Sequence, residues 1–211
     1  MRNGLKFTYT LLGSPYVVHE LRFPTDPMEG DHTELPLHKF EQPGRNIPQG
    51  DDGLWRDVFS NTLLTVSAAP IRHSVPCVGY VVHERPVPGK VDPKVYLPDL
   101  KRTKTPMSVM SRLQLGESVT LSDGTVLHGP EKRPGRKIVI LGDTYDPSSI
   151  TELATDADVL IHEATLAHLP GIDPSTKQED TYELVEARAK SRGHSTPQMA
   201  GAFGKRIGAK W

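Results

Sequence analysis

The side chains best suited to metal or proton chemistry stand at the ends of predicted strands in the last third of the chain. Asp143 follows the apolar run 137–141 and a glycine, and His162 and Glu163 end a second apolar run that begins at Asp158. Parallel strands with this spacing would bring their carboxyl ends to one sheet edge, where α/β proteins bind ligands. Asp143 is then a metal ligand or general base, or else the cap of the next helix. His162 is a ligand or a hydrogen-bonded structural residue.

A second group of polar residues, His194, Ser195 and Thr196, stands where a glycine-terminated loop enters a predicted helix. Unpaired backbone N–H groups and the positive end of the helix dipole favour a phosphate or carboxylate at such a position. A histidine there could protonate a leaving oxygen. The alternative is an ordinary N-cap beside an incidental histidine.

Metal-binding motifs are incomplete in this sequence. His73 lies between two predicted strands and carries a weaker local signal than His194. Neither an HxHxDH nor an HExxH segment occurs, so no complete metal site can be written from the sequence.

The elements that must position these residues follow from hydrophobic patterning. Residues 61–72 and 77–83 predict two strands flanking the turn that carries His73. The runs 137–141 and 158–163 predict parallel, buried strands joined by a right-handed crossover with a short helix. The expected fold class is therefore α/β, at least in the C-terminal part.

Helices complete the C-terminal part. The sequence predicts a short helix at 147–154 and a longer one at 178–191, ended by Gly193. Thr196 as N-cap and Pro197 at the first helical position open a further helix. Its predicted buried stripe consists of Met199, Ala202, Phe203 and Ile207.

The N-terminal part is expected to be rich in loops. Residues 4–23 predict two strands joined by a turn at 13–15. The stretch 24–60 begins with proline, glycine, aspartate and histidine and few apolar anchors, and is interpreted as a loop-rich insert in a β-rich part spanning 1–83. The chain has 18 glycines and 19 prolines, most of them before residue 135, in agreement with this interpretation.

A basic segment separates the two parts. Between Arg85 and Arg112 there are seven basic residues and two acidic ones, with too many prolines for one regular helix and too much charge for a core element. We therefore predict a basic arm over 84–116, followed by a C-terminal α/β part over 117–211. Residues 117–128 predict a β-hairpin. The candidate RNA-contacting residues of the arm are Lys90, Lys101, Arg102, Lys104 and Arg112.

Composition narrows the class of protein. The chain has 211 residues, 36% of them hydrophobic and 24% charged, which fits a globular domain and argues against a membrane protein or a highly charged disordered chain. The single cysteine, Cys77, cannot form an intramolecular disulfide, and no signal peptide is evident. We expect an intracellular protein, with the nucleus, the cytoplasm and the mitochondrion all compatible, and no membrane partner.

Three motifs in order resemble the second half of tRNase Z, the short-form tRNA 3′-processing endonuclease of the metallo-β-lactamase superfamily. They are residues 141–144 (LGDT), 156–165 (DADVLIHEAT) and 193–200 (GHSTPQMA). Residues 73–80 (HSVPCVGY) resemble the family's third metal motif. The basic segment stands where the family carries its protruding arm, and the resemblance covers about residues 7–22 and 62–211.

The resemblance implies a fold, a cofactor and roles. The fold would be the second half of a metallo-β-lactamase αββα sandwich with a protruding basic arm. The family uses two zinc ions to activate water against a phosphodiester of precursor tRNA. His73 and Asp143 would be metal ligands, and His194 would protonate the leaving oxygen. Glu163 and His162 would orient the site.

Further roles follow from the same resemblance. Ser195 and Thr196 would place backbone donors near the phosphate, and the arm would clamp the tRNA through its phosphates. The full-length family forms homodimers, so a second copy is an expected partner. The arm has Thr105-Pro106 where the family has a Gly-Pro pair.

Two parts of the family's ligand set are absent from this sequence. The HxHxDH motif would precede residue 1, and the last zinc histidine would follow Trp211. Two ligands cannot hold a catalytic zinc pair, since each catalytic zinc usually takes three protein ligands. We therefore expect a zinc endoribonuclease half that is inactive alone, as a truncated gene model, splice form or half of a split protein. The alternative is a non-catalytic module that binds tRNA or a partner. A third alternative is another hydrolase of the same superfamily that acts on a small phosphodiester.

Overall fold

The computed structural model describes residues 15–26, 40–173 and 176–211. The strands are β1 (Tyr16–Val17), β2 (Glu20–Arg22), β3 (Glu41–Gln42), β4 (Asn46–Pro48), β5 (Trp55–Ser60), β6 (Leu64–Ile71), β7 (Cys77–Glu84), β8 (Val119–Thr120), β9 (Val126–Leu127), β10 (Lys137–Leu141) and β11 (Val159–Ile161). The helices are α1 (Pro93–Arg102), α2 (Val109–Gln114), α3 (Thr151–Ala154, preceded by a 3₁₀ turn at Ser148–Ile150), α4 (Tyr182–Ser191) and α5 (Pro197–Arg206).

A five-stranded sheet with the order β11-β10-β7-β6-β5 is the centre of the molecule. β6 and β7 form an antiparallel hairpin in which Ile71 pairs with Cys77, so the turn between them carries His73. β10 runs antiparallel to β7 and parallel to β11. The predicted hairpin and the predicted parallel pair are both confirmed. β11 is shorter than expected and lies at a sheet edge, with Ile161 51% exposed, so it is not the buried strand that its sequence predicts.

The main hydrophobic core lies on one face of this sheet. Ala69, Val81 and Val139 point to that face from three neighbouring strands. Helical residues, among them Phe203 and Ile207 of the α5 segment, pack against them. The core fixes the strand ends relative to the start of α5 and so places the candidate functional residues described below.

The opposite face of the sheet carries a row of partly exposed apolar side chains. Tyr80, Ile140 and Ile161 are cross-strand neighbours on β7, β10 and β11, and are 38%, 40% and 51% exposed. Alternation along a strand sends every second side chain to this face. These strands are therefore apolar throughout because they carry apolar side chains on both faces of the sheet, the core face and this partly exposed one.

The N-terminal part differs from the prediction of a loop-rich insert over 24–60. Residues 55–60 form β5, the edge strand of the main sheet, and β3 and β4 pair with β1 and β2. The indole of Trp55 is fully buried, donates to Arg22 O at 3.1 Å and meets the Phe23 ring with centroids 5.0 Å apart. The prediction was wrong for this segment because its anchors are distant in sequence. The strand predicted before residue 15 lies outside the described residues.

The basic segment is part of a lobe inserted between β7 and β10. We call residues 87–133 the arm lobe, because a backbone bridge between Val87 and Arg133 closes it. It has a separate hydrophobic cluster that joins α1, α2 and the β8–β9 hairpin, comprising Tyr96, Leu100, Leu113, Val119, Leu121 and Leu127. The hairpin is confirmed, but it packs with the arm rather than with the C-terminal part, so the arm does not end at 116.

Helices near the C-terminus follow the predicted caps. Thr196 caps α5 by accepting from Met199 N, and Pro197 is its first residue, as predicted. α4 begins at Tyr182 instead of 178, because Thr181 provides its cap. Ala202 is exposed rather than part of the buried stripe of α5. Among the described residues, no helix combines the length and apolar character needed to cross a membrane.

Candidate metal centre

Three side chains that can ligate a metal converge at the edge of the main sheet. One ligand atom from each of His73, Asp143 and His194 lies within 4.8 Å of the others. His73 comes from the β6–β7 turn, Asp143 follows β10, and His194 precedes α5. Two imidazole nitrogens and a carboxylate oxygen form a donor set typical of zinc and similar divalent metals.

The position of His73 depends on a close approach by Gly193. A Cβ atom at residue 193 would lie 2.6 Å from Cδ2 of His73, and the glycine has a φ of +87°. Val75 N–H donates to Nδ1 of His73 at 3.3 Å, and the His73 and His194 rings are 5.2 Å apart between centroids. Gly193 therefore has two roles: its positive φ ends α4, and its missing side chain leaves room for the His73 ring beside His194.

Buried hydrogen bonds connect the three loops that carry the cluster. Thr144 Oγ1 donates to Arg72 O at 2.8 Å, which ties the loop after β10 to the His73 turn. Ser195 Oγ donates to Thr144 O at 2.6 Å, which ties that loop to the start of α5. Thr144 and Ser195 are fully buried, so these bonds are shielded from water.

Glu163 accepts several hydrogen bonds beside the cluster. Its Oε1 lies 3.3 Å from Nδ1 of His194 and accepts from Ser195 N at 2.8 Å, and its Oε2 accepts from the N–H and hydroxyl of Thr165, both at 2.8 Å. Burial opposes ionisation, but the hydrogen bonds from Thr165, Ser195 and Thr144 outweigh it and hold the pKa of the Glu163 carboxyl below its usual range. The ionised carboxylate thus orients the His194 ring.

His162 is directed away from the three-residue cluster. Its Nδ1 lies 2.6 Å from Glu163 O, and its ring meets Phe203 with centroids 6.1 Å apart. Burial, only partly offset by the hydrogen bond, lowers the pKa of His162 and favours the neutral ring. The expected role of orienting the site therefore fits Glu163 and not His162.

Ser195 and Thr196 were expected to place backbone donors near a phosphate. Both residues are fully buried, and the N–H of Ser195 is already bonded to Glu163. The hydroxyl of Thr196 accepts from Met199 N as the cap of α5. The Ser195 N–H is therefore already used within the fold, and a role of the Thr196 N–H in binding a phosphate stays a prediction.

The five basic residues predicted to contact RNA are all exposed on the arm lobe, but two are paired. Arg102 forms ion pairs with Asp99 and Asp123, and Arg112 forms one with Glu117 at 2.8 Å. The whole lobe contains eight basic and five acidic residues, so it is less basic than the predicted segment. Lys90, Lys101 and Lys104 are left as the more available cations of that set.

Sequence reasoning missed Thr144, Thr165 and Gly193 as parts of the site. Their signals are weak in the sequence, because threonines after strands and a glycine after a helix are common. Only their proximity to two predicted site residues, Asp143 and Glu163, could have drawn attention to the threonines.

The relatives found by comparison with known proteins carry the names ribonuclease BN and ribonuclease Z. No family model matches the chain. A protein of Enterobacter sp. (strain 638) named ribonuclease BN is 34% identical over 177 residues, which cover 82% of this chain and 48% of the relative. A ribonuclease Z of Parasynechococcus marenigrum (strain WH8102) is 36% identical over 158 residues, covering 71% of this chain and 46% of the relative. This chain is a homologue of ribonuclease Z and ribonuclease BN proteins.

A solved structure supports the same relationship. The crystal structure of human tRNase Z, short form, matches 99% of this chain and 52% of the human chain with a TM-score of 0.51 and 26% identity. An Escherichia coli ribonuclease BN (strain UTI89 / UPEC) is 31% identical over 211 residues, 98% of this chain and 59% of the relative. The chain thus spans about half the length of the ribonuclease Z and BN proteins that it matches, and its mixed α/β fold matches part of the tRNase Z structure.

Proposed function

We propose that this chain is the metal-binding and RNA-binding part of a zinc-dependent endoribonuclease that removes the 3′ trailer from precursor tRNA. The observation that carries the proposal is the convergence of His73, Asp143 and His194, which belong to separate loops and to separate predicted motifs. The names of the relatives, ribonuclease Z, ribonuclease BN and tRNase Z, support an RNA substrate.

The donor chemistry of this cluster fits zinc. His73 and His194 would supply imidazole nitrogens and Asp143 a carboxylate oxygen, and three protein donors are what a catalytic zinc ion commonly takes. When bound, zinc would lower the pKa of a water molecule and so supply a nucleophile for a phosphodiester at neutral pH.

The remaining residues orient the site. The Glu163 carboxylate holds His194 through Nδ1, at 3.3 Å, and the Thr144–Ser195 hydrogen bond keeps the loop of Asp143 against the loop of His194. His194 can act in either of two ways, as a third metal ligand or as the acid that protonates the leaving oxygen. The geometry is compatible with both.

The arm lobe would bind the tRNA at a distance from the cut. Exposed lysines at 90, 101 and 104 can contact phosphates, and such contacts depend on salt and not on sequence. The independent core of the lobe makes it a stable platform for these contacts. A second copy of the chain is the proposed protein partner.

A second candidate function is a binding module that holds tRNA without cutting it. Within the described residues, the cluster offers three donors, which suffice for one ion and not for a zinc pair. This proposal predicts RNA binding with no cleavage by the 211-residue chain.

Zinc content and RNA cleavage, measured on the same purified protein, test the proposal. We expect about one zinc per chain by elemental analysis, lost in His73→Ala and Asp143→Asn and retained in His83→Ala. His83 is the matched control, because it is exposed on β7 opposite Lys137, at the far end of the strand from the His73 turn. Absence of zinc from the folded wild-type protein would refute the metal-centre assignment.

The cleavage assay uses a precursor tRNA with a 3′ trailer. Cleavage that requires Asp143 supports the enzyme. RNA binding without cleavage by a zinc-loaded chain agrees with a part of the enzyme that is inactive alone, RNA binding by a chain without zinc supports the binding module, and the absence of both binding and cleavage contradicts both.

A further inference from the structure

A cavity of about 380 Å³ adjoins the candidate metal centre on the side of α5. Such a volume lies within the ~300–1,000 Å³ range of small-molecule sites. Its walls come from three segments: the loop after Asp143, the end of β11 and the helix that begins after His194. The cavity is therefore built from the same three strand and helix ends as the metal centre.

The relation to the metal centre is close along the chain. Tyr145, His162 and Ser195 line the cavity, and they lie next to or two residues from Asp143, Glu163 and His194. Ser195 connects the cavity to the candidate metal centre, because it lines the cavity and forms hydrogen bonds with Glu163 and Thr144.

The walls combine aromatic and cationic groups. Tyr145 and His162 are half-buried rings in the wall, whereas Phe203 borders the cavity but is 2% exposed and belongs to the main core. The guanidinium of Arg206 lies 5.9 Å from the Phe203 ring centroid and also lines the cavity. Aromatic surfaces stack with unpaired bases, and a guanidinium binds phosphate.

One hydrogen-bonding atom at this wall has no partner. Nδ1 of His162 bonds to Glu163 O, and its Nε2 is buried without a hydrogen-bond partner among the described residues. A neutral ring whose Nδ1 donates leaves Nε2 as an acceptor. Because Nε2 is buried, a ligand cannot reach it in this structure, and His162 serves as part of the cavity wall.

We infer that this cavity receives one unpaired nucleotide of the RNA, close to the scissile phosphate, with its base against Tyr145 and its phosphate towards Arg206. The inference rests on the proposed RNA substrate and adds a subsite to it. It also assigns Arg206 to substrate binding, through the phosphate.

Filling the cavity is the direct test. Ala202 is exposed on α5 and lines the cavity, so Ala202→Phe places a ring inside it. Gly201→Phe is the matched control, because it adds the same ring one residue away, where a Cβ meets no atom within 4 Å. Binding of adenosine and uridine 5′-monophosphates, and of a short single-stranded RNA, would be measured by calorimetry and ligand-observed NMR.

We expect Ala202→Phe to weaken binding of both the mononucleotides and the RNA at least about fivefold, the loss typical of one stacked base. Gly201→Phe should bind like the wild-type protein. In a second variant, Arg206→Gln should weaken binding of the nucleotides but not of the corresponding nucleosides. This variant keeps the inference testable if Ala202→Phe does not fold.

Several outcomes would overturn the inference. They are no nucleotide binding by the folded wild-type protein, equal losses in Ala202→Phe and Gly201→Phe, or a loss for mononucleotides with unchanged RNA affinity, which would indicate a site for free nucleotides. Zinc binding through His73 is measured separately. Intact zinc and RNA binding without an effect of Ala202→Phe would reject the subsite alone, whereas nucleotide binding without zinc would reject the proposed enzyme.

Discussion

The edge of the main sheet that carries the candidate metal centre and the arm lobe are built on different physical principles. The edge holds His73, Asp143 and His194 with short, buried hydrogen bonds among loops, and a glycine allows the closest approach. The arm lobe has a hydrophobic cluster inside and exposed ion pairs outside. The edge should therefore tolerate little change in geometry, while the arm should tolerate surface changes and resist core changes.

The largest expected effect is in the arm core. Leu113 is fully buried in the arm cluster, so Leu113→Ala should destabilise the protein or the lobe by about 2–5 kcal/mol. Chemical unfolding measures this loss, and zinc titration should show an unchanged affinity at the sheet edge. Leu115→Ala is the control, since Leu115 is 69% exposed and should change stability little. Loss of zinc affinity in Leu113→Ala would show that the two regions are coupled.

The next effect is at Gly193. Gly193→Ala places a Cβ 2.6 Å from the His73 ring and puts alanine at a φ of +87°, so it should cost about 1–2 kcal/mol of stability and lower zinc affinity. Isothermal titration with zinc, beside thermal unfolding, separates the two losses. Gly124→Ala, with a φ of +86° and no atom near its Cβ, should lose stability alone. Equal zinc affinity in both variants would mean that His73 moves freely.

Ser195→Ala tests the buried hydrogen bonds of the edge. It removes the donor to Thr144 O and leaves a buried carbonyl unpaired, at a cost of about 1–3 kcal/mol. Ser191→Ala is the control, because that hydroxyl bonds locally to Arg188 O on an exposed helix end. A thermal melt with the same midpoint for wild type and Ser195→Ala would contradict the proposed cross-link between loops.

The smallest effect concerns the surface ion pairs of the arm. A hydrogen bond from Arg102, helped by one from Thr125 N–H, holds the pKa of the Asp123 carboxyl at about 2, below the reference value of 3.8. A carboxyl with a depressed pKa stabilises the folded state fully above the unfolded pKa, and that contribution is lost as the pH falls from 3.8 to about 2. NMR titration of the Asp123 carboxyl measures the pKa directly, and Arg102→Gln should return it towards 3.8.

The Arg102–Asp123 ion pair also allows a test of whether this side of the arm lobe contacts RNA. Asp123→Asn removes one negative charge and leaves Arg102 with Asp99 as its acidic partner, so RNA affinity should rise slightly and depend more steeply on salt. Filter binding at several salt concentrations measures the slope. An unchanged slope would mean that Arg102 does not face the RNA.

Local pattern was sufficient where neighbours in sequence are also neighbours in space. The β6–β7 hairpin, the parallel pair β10–β11 and the capped start of α5 were predictable for this reason. Strand β5 was not, because Trp55 is held by Arg22 and Phe23, about thirty residues earlier, and by pairing with β6. The arm core was missed because prolines at 93 and 98 obscured a helix that starts with one and contains the other.

For the candidate site, the sequence predicted which residue types stand at the strand ends, but not how their side chains are arranged in space. The strand pattern alone put Asp143 and Glu163 at one sheet edge, since parallel strands end together. The three-donor cluster, the pairing of Ser195 N–H with Glu163 and the turn of His162 towards Phe203 depend on how three loops meet. Only the tertiary structure decides these, because each is a contact between segments that no local pattern links.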